Sequence, residues 1–159
     1  MDQYTPWNPS PDALARVQDP LPPPKCCPNC EATVEIVSNA VIYGRAFGKW
    51  PWAYRCTDED CDSYVGMHPG TNIPLGTLAD RATREARKQA KAVFNPLWQE
   101  HGLSRTKAYQ VLADGMGIDR ARCHIGWFTV EQCEQVVVVC REWKLNALVM
   151  SSNRCRRHV

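Results

Sequence analysis

The chain has 159 residues, is 44% apolar and 23% charged, and carries a formal net charge of +2. That size and balance suit one ordinary domain or two small ones, and exclude a collagenous, coiled-coil or wholly disordered chain. No apolar run approaches the roughly 20 residues needed to span a bilayer, and no basic-then-apolar leader opens the chain, so a cytoplasmic protein without a membrane partner is expected.

Residues 1–24 hold seven of the twelve prolines. Proline fixes φ and donates no backbone hydrogen bond, so this stretch reads as an extended, Pro-rich arm, free in solution unless Tyr4, Trp7 or Leu14 docks it. A short helix over Asp12–Gln18, with Ser10 as cap and Pro11 in the first turn, fits within it. Residues 25–66 read as short strands: Val34–Val37, Ala40–Tyr43 and Trp52–Cys56 are rich in β-branched and aromatic residues, with Ser38-Asn39 as a turn between the first two.

From Thr77 the pattern becomes helical. Thr77-x-x-Asp80 resembles a capping box ahead of an apolar side made by Leu78, Ala82, Ala86, Ala90, Val93 and Phe94, and Asn95-Pro96 ends or kinks this helix. A second helix is predicted from Ser104 to about Asp114, stopped by Gly115 and Gly117. A third starts at the capping box Thr129-x-x-Gln132 and places Val130, Cys133, Val137, Cys140 and Trp143 at helical spacing. The β-branched run Val136–Val139 leaves a strand as the alternative there. Residues 151–159 read as a frayed basic tail. The predicted fold is therefore α+β: a Pro-rich arm (1–24), an N-terminal zinc ribbon of short antiparallel strands (25–66) packed on a small three-helix part (67–150), and the tail.

The ribbon reading rests on cysteine. Nine cysteines in a reducing compartment argue for metal or buried thiols. Cys27-Pro28-Asn29-Cys30 aims two thiolates at one ion from one tight turn. Cys56 and Cys61 supply the second pair, after enough chain for a hairpin and return strand. Four thiolates close a tetrahedral shell with no open position, so one structural Zn²⁺ is predicted. Cys26 is the alternative to Cys27. Cys123, Cys133 and Cys140 read as small buried residues, with a second metal site including His124 as the alternative.

These residues resemble a family. Cys27-Pro28-Asn29-Cys30, Ile42-Tyr43-Gly44-Arg45, Tyr64-Val65-Gly66, His68, Pro74-Leu75-Gly76-Thr77-Leu78-Ala79, Phe94-Asn95-Pro96-Leu97-Trp98, Ser104-Arg105, Ala108-Tyr109 and Cys123-His124-Ile125-Gly126 together resemble a zinc-finger-containing domain family of unknown function, found mainly in phages and prophages. The resemblance covers roughly residues 26–140. It implies a zinc ribbon and a small helical part, and brings no activity with it. One departure is the second cysteine pair, which has four intervening residues where two are expected.

The halves of the chain differ in sign. Residues 1–66 carry a net −4 and residues 67–159 a net +6, and such asymmetry points to a basic partner surface. Arg81, Arg84, Lys88 and Lys91 fall on one helical stripe with Arg87 beside it, a pattern that can track a phosphate backbone. In the predicted hairpin, Tyr43, Phe47, Trp50, Trp52 and Tyr54 interleave with Arg45, Lys49 and Arg55, a combination that can stack on bases and neutralise phosphates, with Trp50 and Trp52 the leading candidates. The order helix, Met116-Gly117-Ile118 turn, basic Arg120–Arg122 is that of a helix-turn-helix, but Gly126 leaves its second helix no room. No phosphate-loop, dinucleotide or metalloprotease motif occurs, so no enzymatic activity is expected. The sequence thus predicts a phage or prophage accessory protein of the host cytoplasm that binds DNA or RNA. The alternative is a protein-binding module that modifies a host complex, in transcription or antiviral defence, through its aromatic surface and Pro-rich arm.

Overall fold

Three strands form an antiparallel sheet in the order β1 (Val34–Ser38), β2 (Trp52–Cys56), β3 (Tyr64–Gly66). β2 is central, with Ile36 opposite Tyr54 on one side and Val65 opposite Tyr54 on the other. A computed structural model describes residues 3–156, the side chains of residues 155 and 156 excepted. The chain divides into two compact units, one up to Arg84 and one from Glu85 onward.

The first unit contains the sheet, and its core is small: Cys27, Tyr54, Cys56, Met67 and Leu78 are buried there. Three side chains fasten the loop after β3. The Trp50 indole N–H donates to the Thr71 carbonyl at 3.0 Å, the Tyr54 hydroxyl donates to the Asn72 carbonyl, and the buried Thr71 hydroxyl donates to the His68 carbonyl at 2.8 Å.

Ala40–Tyr43 is not a strand but one helical turn, α2. The expected partner edge of β1 is taken by β2, whose ladder runs from Val34–Cys56 to Ser38–Trp52. Ser38 Oγ accepts from the Ala40 N–H, and Gly44, at φ +82°, closes the turn. Pairing decided between states that local propensity left close in energy. The Asn39 amide then ties the loop: its Nδ2 donates to the Phe47 carbonyl and its Oδ1 accepts from the Phe47 N–H, both at 3.0 Å.

The N-terminal segment is not a free tail. The α1 helix (Pro11–Arg16) has Ser10 as its cap, as predicted, and the Ser10 N–H donates to the Gly70 carbonyl at 2.8 Å. The Trp7 ring meets Trp52 edge-on with centroids 5.2 Å apart. Gly70 sits at φ +79°, and a Cβ there would lie 2.9 Å from the Ala13 Cβ.

α3 spans Arg81–Phe94, three residues later than the start that a Thr77 cap predicts. The Thr77 box does not form the cap. Ala79 exchanges backbone hydrogen bonds with Tyr64 at the edge of β3, so its amide is already committed. Asp80 caps the helix instead, its Oδ1 accepting from the Thr83 N–H at 2.9 Å and the Thr83 hydroxyl at 2.7 Å. Leu78 accordingly belongs to the sheet's core and Ala82 is exposed.

In the second unit, α4 (Pro96–Gln99), α5 (Arg105–Met116) and α6 (Val130–Arg156) follow α3. Its core holds Phe94, Leu97, Leu112, Ile125, Phe128 and Val136 with Cys123, Cys133 and Cys140. Ser104 caps α5 as predicted, accepting from the Lys107 N–H. The Thr129 box caps α6 reciprocally: Gln132 N–H to Thr129 Oγ1 at 3.2 Å, and Thr129 N–H to Gln132 Oε1 at 3.0 Å. The run Val136–Val139 is helical, and α6 continues through Arg156, so residues 151–156 of the expected tail extend the helix and the rest lies outside the described residues. Between α5 and α6 lie only two single turns, Arg120–Arg122 and Ile125–Trp127, which leaves no recognition helix. Among the described residues no helix is long and apolar enough to cross a membrane.

Gly115 lies inside α5, which ends at Gly117. A Cβ at Gly115 would fall 2.5 Å from Val139 Cγ1. Alanine is ordinarily the better helix former by about 1 kcal/mol, yet the stiff β-branched Val139 has to move to admit it. Gly115→Ala is therefore expected to destabilise the second unit by a net ~1–2 kcal/mol, read as a lower urea midpoint. A raised midpoint would show that α5 and α6 separate freely.

Candidate functional site

Two loops present four cysteines to one point. Cys27 and Cys30 come from the turn before β1. Cys56 ends β2, and Cys61 lies in the loop leading to β3. In the first knuckle the Cys27 N–H donates to the Ala32 carbonyl at 2.8 Å; in the second the Cys56 N–H donates to the Ser63 carbonyl at 2.9 Å. The second closure spans two more residues than the first, which is the size of the departure in spacing. Asp58 takes up the insertion, its Oδ1 accepting from the Asp60 N–H and its carbonyl from the Cys61 N–H. Each knuckle ends in a left-handed residue directly after its second cysteine, Glu31 at φ +67° and Asp62 at φ +48°. Neither is glycine, although aspartate adopts this conformation more readily than most residues.

The four sulfurs all lie within 4.8 Å of one another, with Cys27–Cys61 at 3.7 Å and Cys30–Cys56 at 3.3 Å. Four Zn–S bonds of about 2.3 Å directed to the corners of a tetrahedron require sulfurs about 3.8 Å apart. The cluster therefore fits a single structural zinc ion, held by Cys27, Cys30, Cys56 and Cys61. Cys26 is not part of it: its side chain is exposed and its backbone bridges to Thr33.

The surroundings favour a thiolate unequally. At Cys27 burial opposes ionisation, but the Asn29 and Cys30 N–H groups, with Cys61 and Ser63, bring the thiol down to about 7. Cys56 is held up chiefly by burial. At Cys30 the Ala32 N–H favours the thiolate, but Cys56 and burial outweigh it; at Cys61 the Ser63 hydroxyl does the same and burial and the neighbouring thiols outweigh it. One thiolate forms readily, and a cation is what lets four coexist. Ser63, wholly buried, links the knuckles: its Oγ accepts from Asn29 Nδ2 at 2.8 Å and lies 3.2 Å from Cys61 Sγ. Sequence reasoning passed over Ser63 and Asn29. Their only signal was position, two residues after one ligand and one before another.

Among the described residues this is the one such cluster. Cys123, Cys133 and Cys140 are core residues of the second unit. Burial raises all three, Cys123 and Cys140 to about 11, which is the behaviour of apolar packing groups. His124 stacks on Trp127 with centroids 4.2 Å apart. Cys155 and His158 have no described side chains.

The predicted nucleic-acid residues divide into two groups. Arg81, Lys88 and Lys91 are exposed on α3, as are Arg45 and Lys49 in the loop between β1 and β2. Arg84 is engaged: it donates to the Asp62 and Ala79 carbonyls, lies 3.6 Å from the Asp62 carboxylate, and covers the Tyr64 ring at 4.2 Å. Arg87 Nε donates to the Phe128 carbonyl at 3.0 Å. Arg55 is half-buried, opposite Glu35 and Tyr64 in the sheet. Trp50 and Trp52 are also half-buried, tied to Thr71 and covered by Trp7 respectively. The exposed aromatics of this loop are instead Tyr43 (53%) and Phe47 (45%). They belong to a continuous file in which Arg45 lies 4.7 Å over Phe47, Phe47 meets Tyr43 at 5.5 Å, Tyr43 meets Tyr64 at 6.1 Å, and Arg84 covers Tyr64.

No curated protein and no solved structure matches the chain. A family model does, along residues 23–143, a stretch that contains all four cysteines and runs into α6. The chain belongs to that family, the zinc-finger-containing domain family.

Proposed function

We propose that the protein is a phage or prophage accessory zinc-ribbon protein that binds nucleic acid. The observation that carries this reading is the solvent-facing file Arg45–Phe47–Tyr43 on the loop between β1 and β2. Unpaired bases stack on aromatic faces whatever their identity, and arginine supplies both a phosphate contact and a further flat surface. Tyr43 and Phe47 offer the faces; Arg45, Lys49 and Arg81 supply the charge. Zinc, held at the Cys56 end of β2, orders the sheet from whose Trp52 end the loop projects. The exposed α3 cations Arg81, Lys88 and Lys91 are spaced at i, i+7 and i+10, so they share one side of the helix and can follow a backbone. DNA and RNA both offer this chemistry. In this reading the chain works by binding, in the host cytoplasm, and catalyses no reaction.

Fluorescence anisotropy with a labelled single-stranded oligonucleotide tests the reading. Affinity should fall steeply from low to moderate salt. Tyr43→Ala/Phe47→Ala should weaken binding roughly 30-fold or more, since it removes two stacking faces worth about 1–3 kcal/mol each, and Arg45→Glu/Lys49→Glu should reduce the salt dependence as well. The second reading, docking on a host protein, draws on Trp7, which is 65% exposed although it packs on Trp52. Salt-independent capture of one host protein from nuclease-treated lysate, with no oligonucleotide binding, would establish that reading and remove the first.

A further inference from the structure

The two cysteine knuckles are built alike, with one difference. Each closes on the residue two places after its second cysteine: the Cys27 N–H donates to the Ala32 carbonyl, and the Cys56 N–H donates to the Ser63 carbonyl. Ala32 has no polar side chain. Ser63 has a hydroxyl, is wholly buried, and stands in the knuckle with the longer loop. That hydroxyl reaches both knuckles at once. Asn29 Nδ2, from the first, lies 2.8 Å from Ser63 Oγ, and Cys61 Sγ, from the second, lies 3.2 Å from it.

The available protons fix the direction of both bonds. An amide nitrogen can only donate, so Ser63 Oγ accepts from Asn29. A thiolate that binds zinc carries no proton, so in the loaded site Cys61 Sγ can only accept. The one hydroxyl proton is therefore left for the sulfur. Four thiolates outweigh the charge of one Zn²⁺, and a donor aimed at a sulfur offsets part of that excess. The same pair of bonds ties the longer loop to the shorter one.

We propose that Ser63 is the positioning residue of the zinc site, holding Cys61 in place with a hydroxyl proton that Asn29 directs to the Cys61 sulfur. Chelator competition on the full chain tests it, with Zn²⁺ and then with Co²⁺, whose sulfur-to-metal charge-transfer band reports on the thiolates. Ser63→Ala gives the second knuckle the residue that closes the first. It should lower zinc affinity about 10- to 100-fold. It should also move the cobalt band to lower energy, because a sulfur that loses a donor releases its electrons more readily. Asn29→Asp keeps the shape of the side chain at an exposed position, so the fold tolerates it. Once ionised it offers Ser63 only acceptors. It should draw the proton away from the sulfur and move the band the same way with Ser63 intact. A zinc affinity in Ser63→Ala within about 3-fold of wild type would overturn the proposal. So would a cobalt band that stays in place in either variant. A wild-type chain that takes up no cobalt would overturn it at an earlier step, by removing the four-cysteine site itself.

Discussion

Cys56→Ser is expected to bring bound zinc from one ion per chain to none and to unfold the unit up to Arg84. Cys56 is 2% exposed, at the end of the central strand, and a serine hydroxyl there cannot replace a thiolate. Metal counts heavily in this unit because its buried cluster is so slight. Of the five buried residues gathered around the sheet, Cys27 and Cys56 are themselves ligands, leaving Tyr54, Met67 and Leu78. Structural zinc contributes on the order of 10 kcal/mol to folding such a domain. Metal analysis and the dispersion of amide resonances from β1 to β3 read the result. Cys26→Ser should keep one ion and the same spectrum. One ion per chain in Cys56→Ser would mean that the four-cysteine assignment is mistaken.

Phe94→Ala is expected to cost about 3–5 kcal/mol, with the loss confined to the unit from Glu85. Phe94 is 1% exposed and tilts against Tyr109 with centroids 4.6 Å apart, in a cluster that contains no zinc ligand. A large cavity at that point cannot close without moving α3 or α5, since the neighbouring Leu97, Ala108 and Leu112 are fully buried. Urea unfolding followed by the helical signal measures the effect, and zinc content should remain at one ion per chain. A loss below about 1 kcal/mol would place Phe94 outside the core.

The parts legible in the sequence were those fixed by local chemistry. The Ser10, Ser104 and Thr129 caps bond to amides three residues away, so their patterns carried over directly. Cys27-Pro28-Asn29-Cys30 is likewise a local turn, and the second ligand pair followed from the demand for two more thiolates. What misled was decided at a distance. Ala40–Tyr43 has strand composition, but β1 had a better partner in β2. Thr77 and Asp80 were both able to cap, and the bridge between Ala79 and Tyr64 chose Asp80. Of the basic stripe read from spacing, Arg81, Lys88 and Lys91 are exposed on α3. Spacing could not show that Arg84 is bound to Asp62 and Tyr64, or Arg87 to Phe128. The sequence offered five aromatics in this hairpin without ranking them by exposure; Tyr43 and Phe47 are the ones this loop exposes, and Trp50 and Trp52 are half-buried.

The Asn39 amide bears on how tightly that loop can bind. Fixing one residue's backbone costs about 1–2 kcal/mol at room temperature, and a loose loop incurs that loss when its ligand arrives. Here the Asn39 side chain grips both backbone groups of Phe47, and its own N–H donates to the Pro51 carbonyl at 2.9 Å. The segment that presents Tyr43 and Phe47 has therefore given up much of its freedom before any encounter. If the loop binds as proposed, more of each stacking contact then survives as affinity, so that two aromatic faces can suffice where a floppy loop would need several. In that role a single asparagine would lower the entropic cost of an encounter with a ligand it does not touch.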